Sequence, residues 1–187
     1  MTTIRVLEEA GFSEPVWIEG VKSRSKAMGC ALAHRNALQY ILEKNIFPAL
    51  VVEDDILIHH RHEKVIVPDS ADALYLGLSE YGIHGGKGVR RHAAERVSKD
   101  IHRLQNMLAA HAIVYFTKEY VEHLLHVNDI FVAMQTNQDK GRAETMKYWN
   151  VYGLSVPMFY QAGRYEEYTR ITLPNPKMVS LDSFYRV

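Results

Sequence analysis

The chain has 187 residues, with 22 Lys and Arg against 22 Asp and Glu, and 47% of its residues are hydrophobic. That is the size and balance of one globular domain with a real core, residues 1–187. It excludes disordered and collagen-like chains and gives no overall attraction to nucleic acid or anionic membranes, although a local basic patch stays open. Cys30 is the single cysteine, which excludes an internal disulfide and a multi-cysteine zinc site and suits a reducing, cytoplasmic compartment. No window reaches the run of about 18 apolar residues that spans a bilayer, and Met1–Gly11 lacks a signal-peptide profile.

Thr2 or Thr3 can cap a short helix with Ile4, Leu7 and Ala10 on one face, stopped by Gly11. Pro15–Ile18 then reads as a strand. After a basic loop over Ser23–Met28, the spacing of Cys30, His34, Ala37, Leu38 and Ile41 predicts an amphipathic helix over Gly29–Lys44. Asn45–Pro48 breaks it, and Ala49–Val52 has the continuous apolar character of a strand buried on both faces. Ala73–Gly77 repeats that pattern. Ser79–Ser98, with four glycines among Lys87, Arg90, Arg91 and Arg96, reads as a mobile loop or lid. Leu108–Phe116 is a strand, and Thr117 can cap a helix carrying Tyr120, Leu124 and Leu125 inward. Val151–Tyr160 reads as one or two short strands around Pro157. The simplest architecture is one α/β domain with a mixed, mainly parallel sheet flanked by helices.

The sharpest chemical feature is Glu53-Asp54-Asp55 at the end of an apolar strand. Three adjacent carboxylates repel one another unless a cation or hydrogen-bond donors offset them. Alternation along extended backbone points Glu53 and Asp55 to the same side, toward one divalent ion, and oxygen-only ligands suit Mg²⁺ or Mn²⁺. The bland alternative is a solvated acidic turn. His34 and His111 lie within apolar segments, where a histidine is either a satisfied core residue or a ligand.

Gly29-Cys30-Ala31-Leu32-Ala33-His34 followed by Ala49–Asp55 resembles glycosyltransferase family 25, the lipooligosaccharide-type sugar transferases. The resemblance continues through Asp72–Gly77, through Ala110–Tyr115 with Leu124-Leu125, and through Val156–Gln161, which is similar to the family's closing Pro-x-x-x-Gln segment. Order and spacing agree over Gly20–Gln161. Members of that family open with a strand and a loop bearing Asn-Leu and Asp-Arg pairs, whereas this chain starts at a helix; a reduced form, a trimmed start or an edge supplied by another chain would each account for that. Ala33 also stands where the family has Ser.

The resemblance implies a GT-A-like fold that binds a nucleotide-diphosphate sugar, a UDP-sugar by preference, and Mn²⁺ or Mg²⁺. Glu53 and Asp55 would hold the metal, with His34, Glu53, Asp54 and His111 near the donor. Asp129 would act as general base toward an acceptor hydroxyl on a glycan, a small glycoside or a modified DNA base. Two rivals are a noncatalytic carbohydrate-, nucleic-acid- or partner-binding module derived from the same fold, and a metal-dependent phosphate-transfer enzyme.

Overall fold

The computed structural model describes residues 3–79, 81–82, 94–136 and 138–163. Residues 80 and 83–93, most of the expected lid over 79–98, lie outside the described residues, as does the chain from 164 onward.

Helix α1 spans Thr3–Glu9 and buries Val6 and Leu7. Helix α2 spans Lys26–Lys44 and starts at Ser25, whose hydroxyl accepts from the Met28 N–H at 3.2 Å. It therefore begins three residues before the apolar spacing does, because the cap and not the hydrophobic stripe sets the first turn. Asn45 closes it in the left-handed conformation, φ 50°. Strands β1 (Ala49–Val52), β2 (Ile56–Ile58), β3 (Ala73–Tyr75), β4 (Ala94–Arg96), β5 (Ile101–Leu104) and β6 (Ala112–Tyr115) lead to helix α3, Lys118–Ala133. Helix α4 (Gln138–Thr145), a 3₁₀ turn at Met146–Tyr148, and strands β7 (Val151–Leu154) and β8 (Phe159–Gln161) complete the order.

Six strands form one sheet in the order β1-β6-β3-β7-β5-β4, and β2 pairs with β8 in a separate ribbon. Only the β3–β7 pairing is parallel; the other pairings are antiparallel. This corrects the expectation of a mainly parallel sheet. Apolar runs such as Leu50-Val51-Val52 arise because both faces are covered, whatever the direction of the neighbours. On one face Ala49, Val51, Ala73, Tyr75, Ile113 and Tyr115 pack against Leu38, Ile41, Tyr120 and Leu124 of α2 and α3. On the other, Leu50, Val52, Leu74 and Ala112 join Val6 and Leu7 of α1 with Ile56 and Phe159 of the ribbon. The fully buried Leu, Ile and Phe side chains among these contribute about 1.5–3 kcal/mol of transfer free energy each.

The structure departs from expectation at Pro15–Ile18 and at Ala94–Arg96. Pro15–Ile18 is not a strand: Val16 and Trp17 are 59% and 57% exposed and the segment has no sheet partner among the described residues. The strand carrying the acidic motif is an edge strand of the six-stranded sheet. Ala94–Arg96, the end of the expected loop, forms a strand paired with β5. No helix among the described residues is long and apolar enough to cross a membrane.

Candidate functional site

The alternation that sends Ala49 and Val51 toward α2 continues to Glu53, one residue past the end of β1. The Glu53 N–H donates to the His111 carbonyl at 2.9 Å, extending the β1–β6 register by one step. On α2 the buried positions Ala31, His34, Leu38 and Ile41 recur at helical spacing, so His34 faces the sheet. Its Nε2 lies 3.2 Å from Glu53 Oε1. The other carboxylate oxygen, Oε2, accepts from Gln161 Nε2 at 2.6 Å, and the same nitrogen stands 3.3 and 3.4 Å from the two oxygens of Asp55. Gln161 is held there by the ribbon, in which it pairs opposite Ile56 while the Ala162 N–H donates to the Asp55 carbonyl at 2.7 Å.

The two carboxylates therefore meet at one amide, and they do so through Gln161. Strand alternation is not the cause, since Asp54 and Asp55 sit in a turn. Their proton affinities diverge. Burial would raise the Glu53 carboxyl, but the hydrogen bond and charge of His34, with the charges of His111 and Arg142, hold it below the usual range. Burial and the neighbouring Glu53 charge raise that of Asp55.

His111 is 1% exposed, and burial lowers its ring to about 4 against the opposing pull of Glu53, so the imidazole is neutral at pH 7. Its ring fills the space above Gly77, where a Cβ would stand 2.0 Å from Nε2. The backbone carbonyl of His111, meanwhile, fixes the Glu53 N–H at the start of the acidic turn. Asp54 is exposed, and its carbonyl accepts from the Thr3 hydroxyl, which ties α1 to the turn. Asp129 lies on α3, where its Oδ1 accepts from Arg35 Nε at 2.5 Å with the carboxylate side chain 47% exposed. Among the described residues, no hydrogen bond joins it to the Glu53 cluster.

The structure adds a polar layer behind Glu53 that sequence reasoning did not assign. Gln138 Nε2 on α4 donates to Cys30 Sγ at 3.8 Å; its Oε1 accepts from Asn128 Nδ2 at 2.5 Å and from the buried Arg142 guanidinium at 3.4 Å. Arg142 also reaches the Tyr115 hydroxyl at 3.4 Å, and although burial works against its charge, its Tyr and Asp139 neighbours together leave its proton affinity above the ordinary value. Burial, with the charges of Glu53 and Asp139, raises the Cys30 thiol to about 11. The one signal in the sequence was the four-residue spacing of Cys30 and His34; nothing local marked Arg142 or Gln138. The Glu53 and Asp55 carboxylates share the Gln161 amide, and among the described residues one ligand atom each from Cys30, His34 and Glu53 lie within 4.8 Å of one another.

Residues 24–135 match the family described as Glycosyltransferase family 25 (LPS biosynthesis protein). The chain belongs to that family. The match runs from the start of α2 through α3 and contains His34, the acidic turn, His111 and Asp129, whereas Gln161 lies beyond it. No curated protein and no solved structure was found to match the chain. Membership of family 25 supports glycosyltransferase activity in general.

Proposed function

We propose that this family 25 chain transfers a hexose from a nucleotide-diphosphate sugar, a UDP-sugar, to an acceptor hydroxyl on a GT-A-like fold, with Mn²⁺ or Mg²⁺ held by Glu53 and Asp55. The observation that carries the reading is the single Gln161 amide serving both carboxylates. Two anionic groups share one neutral donor where a divalent cation would offset both charges, and an all-oxygen pair fits a hard ion that keeps positions for diphosphate oxygens. When bound, the ion would supply Lewis-acid stabilisation of the leaving diphosphate.

The chain's own residues do the positioning. His34 fixes Oε1 of Glu53, Gln161 fixes Oε2, and the His111 carbonyl holds the Glu53 N–H. Asp54 offers an exposed carboxylate toward the donor side. Asp129 is proposed to accept the acceptor proton, its carboxylate oriented by Arg35 and still open to solvent. Glycans, small glycosides and modified DNA bases all present a suitable hydroxyl.

Thermal unfolding against a panel of nucleotide sugars, with and without Mn²⁺, tests this reading. The expected result is an ion-dependent rise in Tm with one nucleotide class, lost in Asp55→Ala while the fold persists. Donor stabilisation that needs no ion, or that survives Asp55→Ala unchanged, removes the metal assignment. If no donor stabilises the chain, the noncatalytic module is the better description.

A further inference from the structure

We propose that Cys30, His34 and the Oε1 atom of Glu53 form a binding site for a borderline-soft divalent ion, zinc, on the opposite side of the Glu53 carboxylate from Asp55. The inference goes beyond the sugar-transfer reading: it shares Glu53 and His34 with that reading and adds Cys30 as the ligand that decides the ion. Cys30 and His34 are four residues apart on α2, so their side chains stack on one face one turn apart, and Glu53 enters across from the end of β1. One ligand atom each from Cys30, His34 and Glu53 lies within 4.8 Å of the other two, and this is the one such group of three among the described residues. Tetrahedral zinc with a sulfur ligand at about 2.3 Å and nitrogen or oxygen ligands at about 2.0–2.1 Å needs ligand atoms roughly 3.3–3.6 Å apart. The His34–Glu53 pair already stands at 3.2 Å, so closure asks for a side-chain adjustment at Cys30 and no change of backbone.

The donor chemistry chooses the ion. A thiolate, an imidazole and one carboxylate oxygen suit zinc and reject magnesium, whereas Glu53 Oε2 with Asp55 has the reverse preference. The two oxygens of Glu53 already face these two sides separately, Oε1 to His34 and Oε2 to Gln161. Groups behind the site orient its ligands as in established zinc sites. Gln138 Nε2 points at Cys30 Sγ, and Gln138 is fixed in turn by Asn128 and Arg142. On binding, the Cys30 thiol releases its proton to water and the His34 ring carries its proton on Nδ1, leaving Nε2 to the ion. Cys30 keeps a solvent-facing surface, which leaves the fourth position to water. The ion would clamp α2 to the end of β1.

Cobalt titration of the full, metal-stripped chain tests the site, because a thiolate ligand gives a near-ultraviolet charge-transfer band and tetrahedral cobalt gives intense visible bands. The expected result is one equivalent with both features, displaced by zinc. Cys30→Ser should remove the charge-transfer band and weaken zinc binding at least about tenfold, and Asp55→Ala should leave both unchanged. A wild-type spectrum without the thiolate band overturns the proposal, as does a band that survives Cys30→Ser or that Asp55→Ala removes as completely. A measurement that needs no variant runs alongside: one equivalent of zinc should slow the reaction of Cys30 with a thiol reagent severalfold, and an unchanged rate also overturns the site. The readout is the thiol and not donor binding, so its failure and the failure of the sugar-transfer reading are separate results.

Discussion

The side-chain amide of Gln161 donates to Glu53 Oε2 at 2.6 Å across 108 positions of sequence. In the absence of an ion this bond offsets the repulsion between Glu53 and Asp55, and a hydrogen bond to a partly buried carboxylate contributes about 1 kcal/mol after allowance for solvent. Gln161→Ala should therefore lower stability by about 1 kcal/mol in EDTA, read by urea denaturation. Saturating Mn²⁺ should recover most of the loss. An equal loss with and without the ion would mean that the amide does not stand where a cation binds.

Asp129 and Arg35 form an ion pair near the surface, so Asp129→Asn should change stability by less than about 1 kcal/mol. As the proposed base, the same variant should lower kcat by at least about 100-fold with donor Kd unchanged. A kcat within a few-fold of wild type would leave Asp129 as a surface ion-pair partner only.

A Cβ at Gly77 would stand 2.0 Å from the buried ring of His111, which has no room to move aside. Gly77→Ala should cost about 3 kcal/mol or more, measured by thermal or urea unfolding. Gly153→Ala is the control: its Cβ would meet only the Leu78 and Leu104 side-chain ends at 2.8 and 2.9 Å, and it should cost less. His111→Ala should relieve Gly77→Ala, so the double variant should be more stable than the sum of the singles by at least about 1 kcal/mol.

Acid should destabilise the metal-free chain through His111. Its ring binds a proton near pH 6.5 when unfolded and at about 4 when folded. Between those values the unfolded state holds more protons, so stability falls as pH falls, beginning near 6.5 and levelling off near 4. The gap corresponds to at most roughly 3.5 kcal/mol. Glu53, with its carboxyl held low, adds a loss of the same sign only below its unfolded value of 4.5. Urea midpoints measured from pH 7 to 4 in EDTA should slope accordingly, and His111→Asn should flatten the part above pH 4.5. An unchanged slope in that variant would place the proton elsewhere.

The helices were legible because the spacing of His34, Leu38 and Ile41, and of Tyr120 and Leu124, records which face meets the sheet. Strand direction was not. Leu50-Val51-Val52 has the same composition whether its neighbour runs parallel or antiparallel, and here that neighbour is the antiparallel β6. Strands of three residues such as β2, β4 and β8 are too short to carry a period. Pro15–Ile18 shows the converse error, apolar residues with no sheet to enter. Within the site, Glu53 and Asp55 stood out as adjacent charges after an apolar run. The bridging role of Gln161 depends on the β2–β8 pairing, and the relation of Cys30 to Glu53 depends on the packing of α2 over β1; neither is written in local sequence.

Strand β7 joins two halves of the sheet, since β3 meets it on one side and β5 on the other. Its partner Ala73 is paired with Val151, so during synthesis the edges of β3 and β5 wait, unpaired, until the chain has emerged past Leu154. The family match ends at residue 135, and a fragment trimmed to that boundary would leave both edges open to a second molecule while detaching the β4–β5 hairpin. Such a fragment should aggregate on expression even though it carries His34, Glu53, Asp55 and Asp129, whereas a fragment extended through Gln161 should close its own sheet.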